Sequence, residues 1–102
     1  MSRPFYASDI IETQKSDSGD IELVATIDAQ HDPATGKLHA KLDAFLRHVR
    51  MTGPDSTTRP DWLPKPQEAS EGVDSAEATD LARELFLRWA AKVRASAMQH
   101  RT

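Results

Sequence analysis

The C-terminal quarter of the chain places the tightest constraint on its fold. Leu81, Leu85, Trp89, Val93 and Ala97 recur at a spacing of four, and Ala78, Ala82, Phe86 and Ala90 widen the same stripe. That period belongs to a helix with one apolar face. Asp74 or Ser75 can cap it, Glu77 sits in its first turn, and Arg88, Lys92, Arg94 and Arg101 fill the later turns. Acids at the start and cations at the end both suit the helix dipole. The pattern predicts a helix over 75–97. A helix of this kind is held by packing its apolar face, so the rest of the chain must supply a surface to receive it.

Two stretches upstream read as strands. FYASDIIET is rich in β-branched and aromatic residues. In IELVATIDA, Ile21, Leu23, Ala25 and Ile27 alternate with Glu22, Val24, Thr26 and Asp28. A period of two is the signature of a strand. The runs flank Asp17-Ser18-Gly19-Asp20, which suits a tight turn, so residues 5–29 are predicted as a β-hairpin.

Residues 37–51 carry two patterns at once. Leu38, Ala40, Leu42 and Ala44 alternate, and the preceding HDPATGK suits a turn with Gly36 left-handed. But Leu38, Leu42, Phe45, Leu46 and Val49 also lie on one helical face, and most residues here favour a helix. Asp32-Pro33 reads equally as a helix start, and Gly53-Pro54 as a stop. Helix over 37–51 is the favoured reading, with Gly36 the residue that speaks against it.

Four of the six prolines fall in GPDSTTRPDWLPKPQEASEGV, residues 53–73, which is predicted as an irregular loop. The expected fold is therefore α+β: an N-terminal antiparallel hairpin followed by two helices joined by a proline-rich loop. Leu38, Leu42, Phe45, Leu46 and Val49 would then pack against Leu81, Leu85, Trp89 and Val93. The alternative is a three-stranded antiparallel meander followed by one long C-terminal helix.

A chain of 102 residues fits a single small domain, and 38% hydrophobic residues allow a modest core. The absence of cysteine excludes disulfides, thiol catalysis and cysteine-ligated metal sites. No apolar run approaches the ~20 residues of a membrane span, and MSRPFYASD lacks the apolar segment of a signal peptide. A soluble cytoplasmic protein without membrane contact is the default expectation. Net charge is −3, but it alternates in blocks: −5 over 1–35, +3 over 36–53, −4 over 54–77 and +3 over 78–102.

No residues assemble into a recognisable catalytic or cofactor motif. The serines lack a GxSxG context, the glycines form no phosphate loop, and DSGDIE is too short for a calcium loop. His39 and Asp43 stand at a helical metal-ligand spacing, but no second pair accompanies them. Solvated or locally paired histidines are the plainer expectation. No metal, cofactor or enzymatic role is expected.

Two kinds of partner remain. Trp62 and Leu63 sit among prolines, either strapping the loop to the core or docking another protein. Leu87 falls on the polar face of the last helix, where it could meet another protein or a second copy. The main expectation is thus a protein-interaction role, as an accessory, adaptor or inhibitor-type protein, with a homodimer possible. The alternative is a nucleic-acid-binding regulator using Arg83, Arg88, Lys92 and Arg94 on the last helix.

Overall fold

The computed structural model describes residues 4–101. Among these, the chain forms strands β1 (Pro4–Ser16), β2 (Gly19–Asp32), β3 (Lys37–Arg50), β4 (Ser56–Thr58) and β5 (Gln67–Gly72), then helix α1 (Ala78–Arg101). Every strand pairing is antiparallel. β1, β2 and β3 form a long meander, and β4 and β5 share the outer edge of β3. α1 covers one face of this sheet.

The hairpin of β1 and β2 closes through a two-residue turn, with Ser16 opposite Gly19. Gly19 has φ +137°, and a Cβ there would lie 2.1 Å from the Val49 carbonyl oxygen on β3. Both the backbone angle and the close approach demand glycine.

The largest correction falls on residues 37–51, which form strand β3 and not a helix. The reason lies in β2, which pairs with all fourteen residues of β3 from Lys37 to Arg50. Complete backbone pairing with a long neighbour outweighs a helix propensity of a few tenths of a kcal/mol per residue. Asp32 and Gly36 build the turn that makes this possible. The Asp32 carboxylate accepts from the Ala34 N–H at 2.9 Å, its carbonyl accepts from the Gly36 N–H at 2.8 Å, and Gly36 has φ +69°. The helical face expected here is consequently split. Leu38, Leu42 and Leu46 face α1, whereas Phe45 and Val49 belong to the opposite face of the sheet.

The loop expected over 53–73 is also partly wrong, because β4 and β5 lie within it. Neither has an apolar alternation to betray it, and both are largely exposed. They pair because the outer edge of β3 needs hydrogen-bond partners. β4 faces 46–48 and β5 faces 37–42, leaving 43–45 without a strand. Side chains gather beside that gap. The Trp89 indole donates to the Asp43 carbonyl at 2.8 Å, and the Asp43 carboxylate accepts from the Ala44 N–H at 2.8 Å and from Arg59.

The face under α1 is built in rows. Across β2 and β3, Leu23 stands opposite Leu46, Ala25 opposite Ala44, Ile27 opposite Leu42 and Ala29 opposite Ala40. Large and small pairs alternate, and α1 brings its own Ala78, Ala82, Ala90 and Ala97 to this surface along with Leu85, Trp89 and Val93. The expected ridge of α1 is thus the buried face, although the helix runs over 78–101 and a turn occupies 75–77. His31, only 7% exposed, donates from Nε2 to the Val73 carbonyl at 2.8 Å, while the Val73 N–H bonds Gly36. It is therefore neither solvated nor locally paired, as was expected of the histidines, but pins the connection into α1.

Gly19→Ala should be strongly destabilising, by about 2 kcal/mol or more, lowering the melting temperature by roughly ten degrees in a domain of this size. Thermal denaturation followed by circular dichroism checks this. Trp89→Phe keeps the apolar ring but leaves the Asp43 carbonyl without its donor. It should lower stability by about 1 kcal/mol or more in a denaturant titration.

Candidate binding surface

Three surfaces could carry a function. The first is the sheet face away from α1. Across it, Ile10, Val24 and Phe45 stand in register on β1, β2 and β3. Val24 is only 2% exposed although no helix covers this face, so its neighbours on the sheet enclose it. Next to this row, Glu22 and Arg47 form an ion pair at 2.8 Å. Further along, Asp28, Lys41 and Glu68 lie side by side on β2, β3 and β5, beside a concavity of about 410 Å³. The charges interleave, which leaves the face without a dominant sign.

The second surface is the proline-rich loop between β4 and β5. Leu63 is buried at 6% exposure, inside the same core as Leu85 and Trp89. Trp62 is half-buried and its ring stacks on His100, with centroids 4.6 Å apart and planes 12° from parallel. The two rings line a cleft of about 370 Å³ floored by Leu23, Leu46 and Ala97. An ion pair between Glu12 and Arg101 stands at its rim. Burial of Leu63 leaves little of it for a partner to touch.

The third surface is the solvent side of α1. At about 100° per residue, Leu87, Ala91, Ala95 and Met98 fall on one outward line. All four are exposed, Leu87 by 64% and Met98 by 61%. Arg83 and Arg94 flank this line on one side, Arg88 and Lys92 on the other. Arg83 reaches Asp80 at 3.6 Å, Arg88 pairs with Glu84, and Lys92 places its Nζ 5.8 Å from the centre of the Trp89 ring. Arg94 has no ion-pair partner among the described residues. No carboxylate occurs between Leu85 and Arg101. Arg83 and Arg94 thus lie to one side of Leu87 and Arg88 and Lys92 to the other, with Arg83 and Lys92 about 180° apart around the helix, and Trp62 and Leu63 lie on the buried side of α1.

Other expected features change with the fold. His39 and Asp43 lie on a strand, four residues and ~13 Å apart along it, not on adjacent helical turns. Among the described residues no cluster of histidine and carboxylate side chains could hold a metal ion. Arg47 binds Glu22, and Asp43 binds Arg59. The long free edge of the sheet belongs to β1. A bulge at Ile11 interrupts it, and Asp9 and Glu12 stand on its helix-facing side, opposite Ala25 and Leu23. Bulges and inward charges discourage pairing with another strand. The paired outer strands were not legible from single-residue patterns. The exposed line on α1 was legible in part, through Leu87.

Among the described residues no helix is long and apolar enough to cross a membrane. Compared with protein-family models, with curated proteins and with solved structures, the chain shows no significant match.

Trp62→Ala should remove the stacked contact with His100 and part of the apolar packing around Leu63. The expected loss is ~1 kcal/mol or more, seen as a fall of several degrees in melting temperature.

Proposed function

We propose that this protein binds nucleic acid through the solvent face of α1. The observation that carries this reading is the stretch between Leu85 and Arg101, where Arg88, Lys92 and Arg94 are exposed and no carboxylate occurs; Arg83 lies one turn earlier, beside Asp80. The acidic blocks of the chain lie outside this helix, so its C-terminal half presents a locally positive field despite the net charge of −3. Ala91 and Ala95 keep the surface between the cations low, which lets a phosphate backbone approach them. The contacts would be to phosphates, which position a protein on a duplex without reading its sequence.

Salt dependence tests this reading. Fluorescence anisotropy with labelled duplex and single-stranded oligonucleotides should show binding that weakens steeply as salt rises. Three or four neutralised phosphates correspond to a slope of about −3 in log K against log salt. Replacing Arg88, Lys92 and Arg94 together by glutamine should flatten that slope and abolish most of the affinity. Binding that is absent at low salt, or untouched by the triple replacement, would refute the reading.

A second reading is an interaction with another protein, as an accessory, adaptor or inhibitor-type chain. It is favoured by the exposed Leu87 and Met98, which phosphate binding does not need. Such a partner would bring an apolar stripe, and Leu87→Asp, rather than loss of the arginines, would be the damaging change.

A further inference from the structure

On the sheet face away from α1, one row of side chains crosses four strands. Tyr6 on β1 stands opposite Asp28 on β2, Asp28 opposite Lys41 on β3, and Lys41 opposite Glu68 on β5. The next row runs through Gln30, His39 and Ser70. Asp28, Lys41, Glu68 and this second row line the concavity of about 410 Å³. That volume falls in the range of small-molecule sites. We infer that the concavity binds a short neutral saccharide, with Tyr6 as the platform for one ring.

Asp28, Lys41 and Glu68 are cross-strand neighbours, at a spacing where opposite charges commonly pair. Elsewhere on the same face, Glu22 and Arg47 do so at 2.8 Å. Among the described residues, Asp28, Lys41 and Glu68 join no ion pair, and neither His39 nor Ser70 makes a side-chain hydrogen bond. Their donors and acceptors are left facing the concavity. The order of charge then selects the ligand. An anion approaching Lys41 would meet a carboxylate on either side, and a cation on Asp28 or Glu68 would meet the Lys41 ammonium one strand away. The flanking rows keep this balance, with Asp32 opposite Lys37 on one side and Asp43 held by Arg59 on the other. A neutral group that both donates and accepts satisfies all of them. Hydroxyls can donate to the two carboxylates, accept from Lys41, and do either with His39 and Ser70. Sugar rings carry such hydroxyls at their edges and C–H groups on their faces. Those faces pack on aromatic rings, whose own faces are electron-rich. Tyr6 supplies this surface, being 68% exposed at the end of the row beside Asp28. From Tyr6 to Glu68 the row spans three strand spacings, ~14 Å, so linked rings suit it better than a single one. The site lies on the opposite side of the sheet from α1 and does not depend on nucleic-acid binding.

The test is a titration of the isotope-labelled full chain, followed by amide NMR spectra, with cellotetraose, maltotetraose, mannotetraose and the tetramer of N-acetylglucosamine. At least one should give saturable shifts confined to the amides around Tyr6, Asp28, Lys41 and Glu68. Tyr6→Ala and Asp28→Ala should each weaken binding of that sugar by about tenfold or more. Both positions are exposed, so the melting temperature should stay within about two degrees of the wild type. Glu68→Ala serves as a further variant if either does not fold. Raising the salt concentration should change the sugar affinity by less than about twofold, unlike a phosphate contact. Replacing Arg88, Lys92 and Arg94 together by glutamine should leave it unchanged, which keeps the two proposals distinguishable. No saturable shift with any of these sugars, shifts that fall away from this row, or binding untouched by the alanine variants would overturn the inference.

Discussion

The hydrogen bond from the Trp89 indole to the Asp43 carbonyl ties the two layers together at the point where the sheet is incomplete. β4 and β5 leave residues 43–45 without a strand on the outer edge of β3. A bare carbonyl there, covered by the helix, would be an unsatisfied buried acceptor and a liability. Trp89 resolves it by contributing an apolar body to the core and a donor at its tip. The Asp43 carboxylate then turns back to the Ala44 N–H and holds Arg59, which leads into Trp62 and Leu63. One indole thereby fixes the height of α1 over the sheet, and the same break in the strand edge anchors the start of the proline-rich loop.

The alternation of small and large rows under α1 explains why a chain with so few bulky residues can hold a helix of 24 residues. The Ala25–Ala44 and Ala29–Ala40 rows are low ground between higher rows, and the helix brings alanines of its own. Close approach compensates for modest side-chain size, because dispersion contacts depend on distance and number. The consequence appears on the outside. Since α1 buries one side, its opposite side is free to carry cations and a second apolar line. The sheet face, in contrast, interleaves acids and bases and encloses its one buried apolar residue, Val24, among its own strands.

Legibility in the sequence followed the range of the determining interaction. The helix at the C-terminus showed itself because its apolar spacing is local and long. The hairpin showed itself because its alternation and its turn residues are neighbours. Residues 37–50 carried a strand pattern and a helix pattern together, and the propensities within the segment favoured the helix, which the structure does not form. β4 and β5 carried no pattern at all, since their pairing is main-chain and their side chains are mostly solvated. Of the candidate surface, Leu87 and the four cations could be placed on one helix from the sequence. Trp62 drew attention by its setting among prolines, and its stacking on His100 required a residue 38 positions away.

The amino-acid sequence by itself determined the period of α1, the turn of the first hairpin, and the separation of charge along the chain. These are properties of residues within a few positions of one another, where propensity and spacing decide. The tertiary structure alone decided that 37–50 extend as a strand, that two short segments complete the edge of β3, and that Trp89 seals the gap between them. Each of those outcomes depends on backbone groups from distant parts of the chain. Their hydrogen bonds gain stability only once the partner strand or helix is already in place.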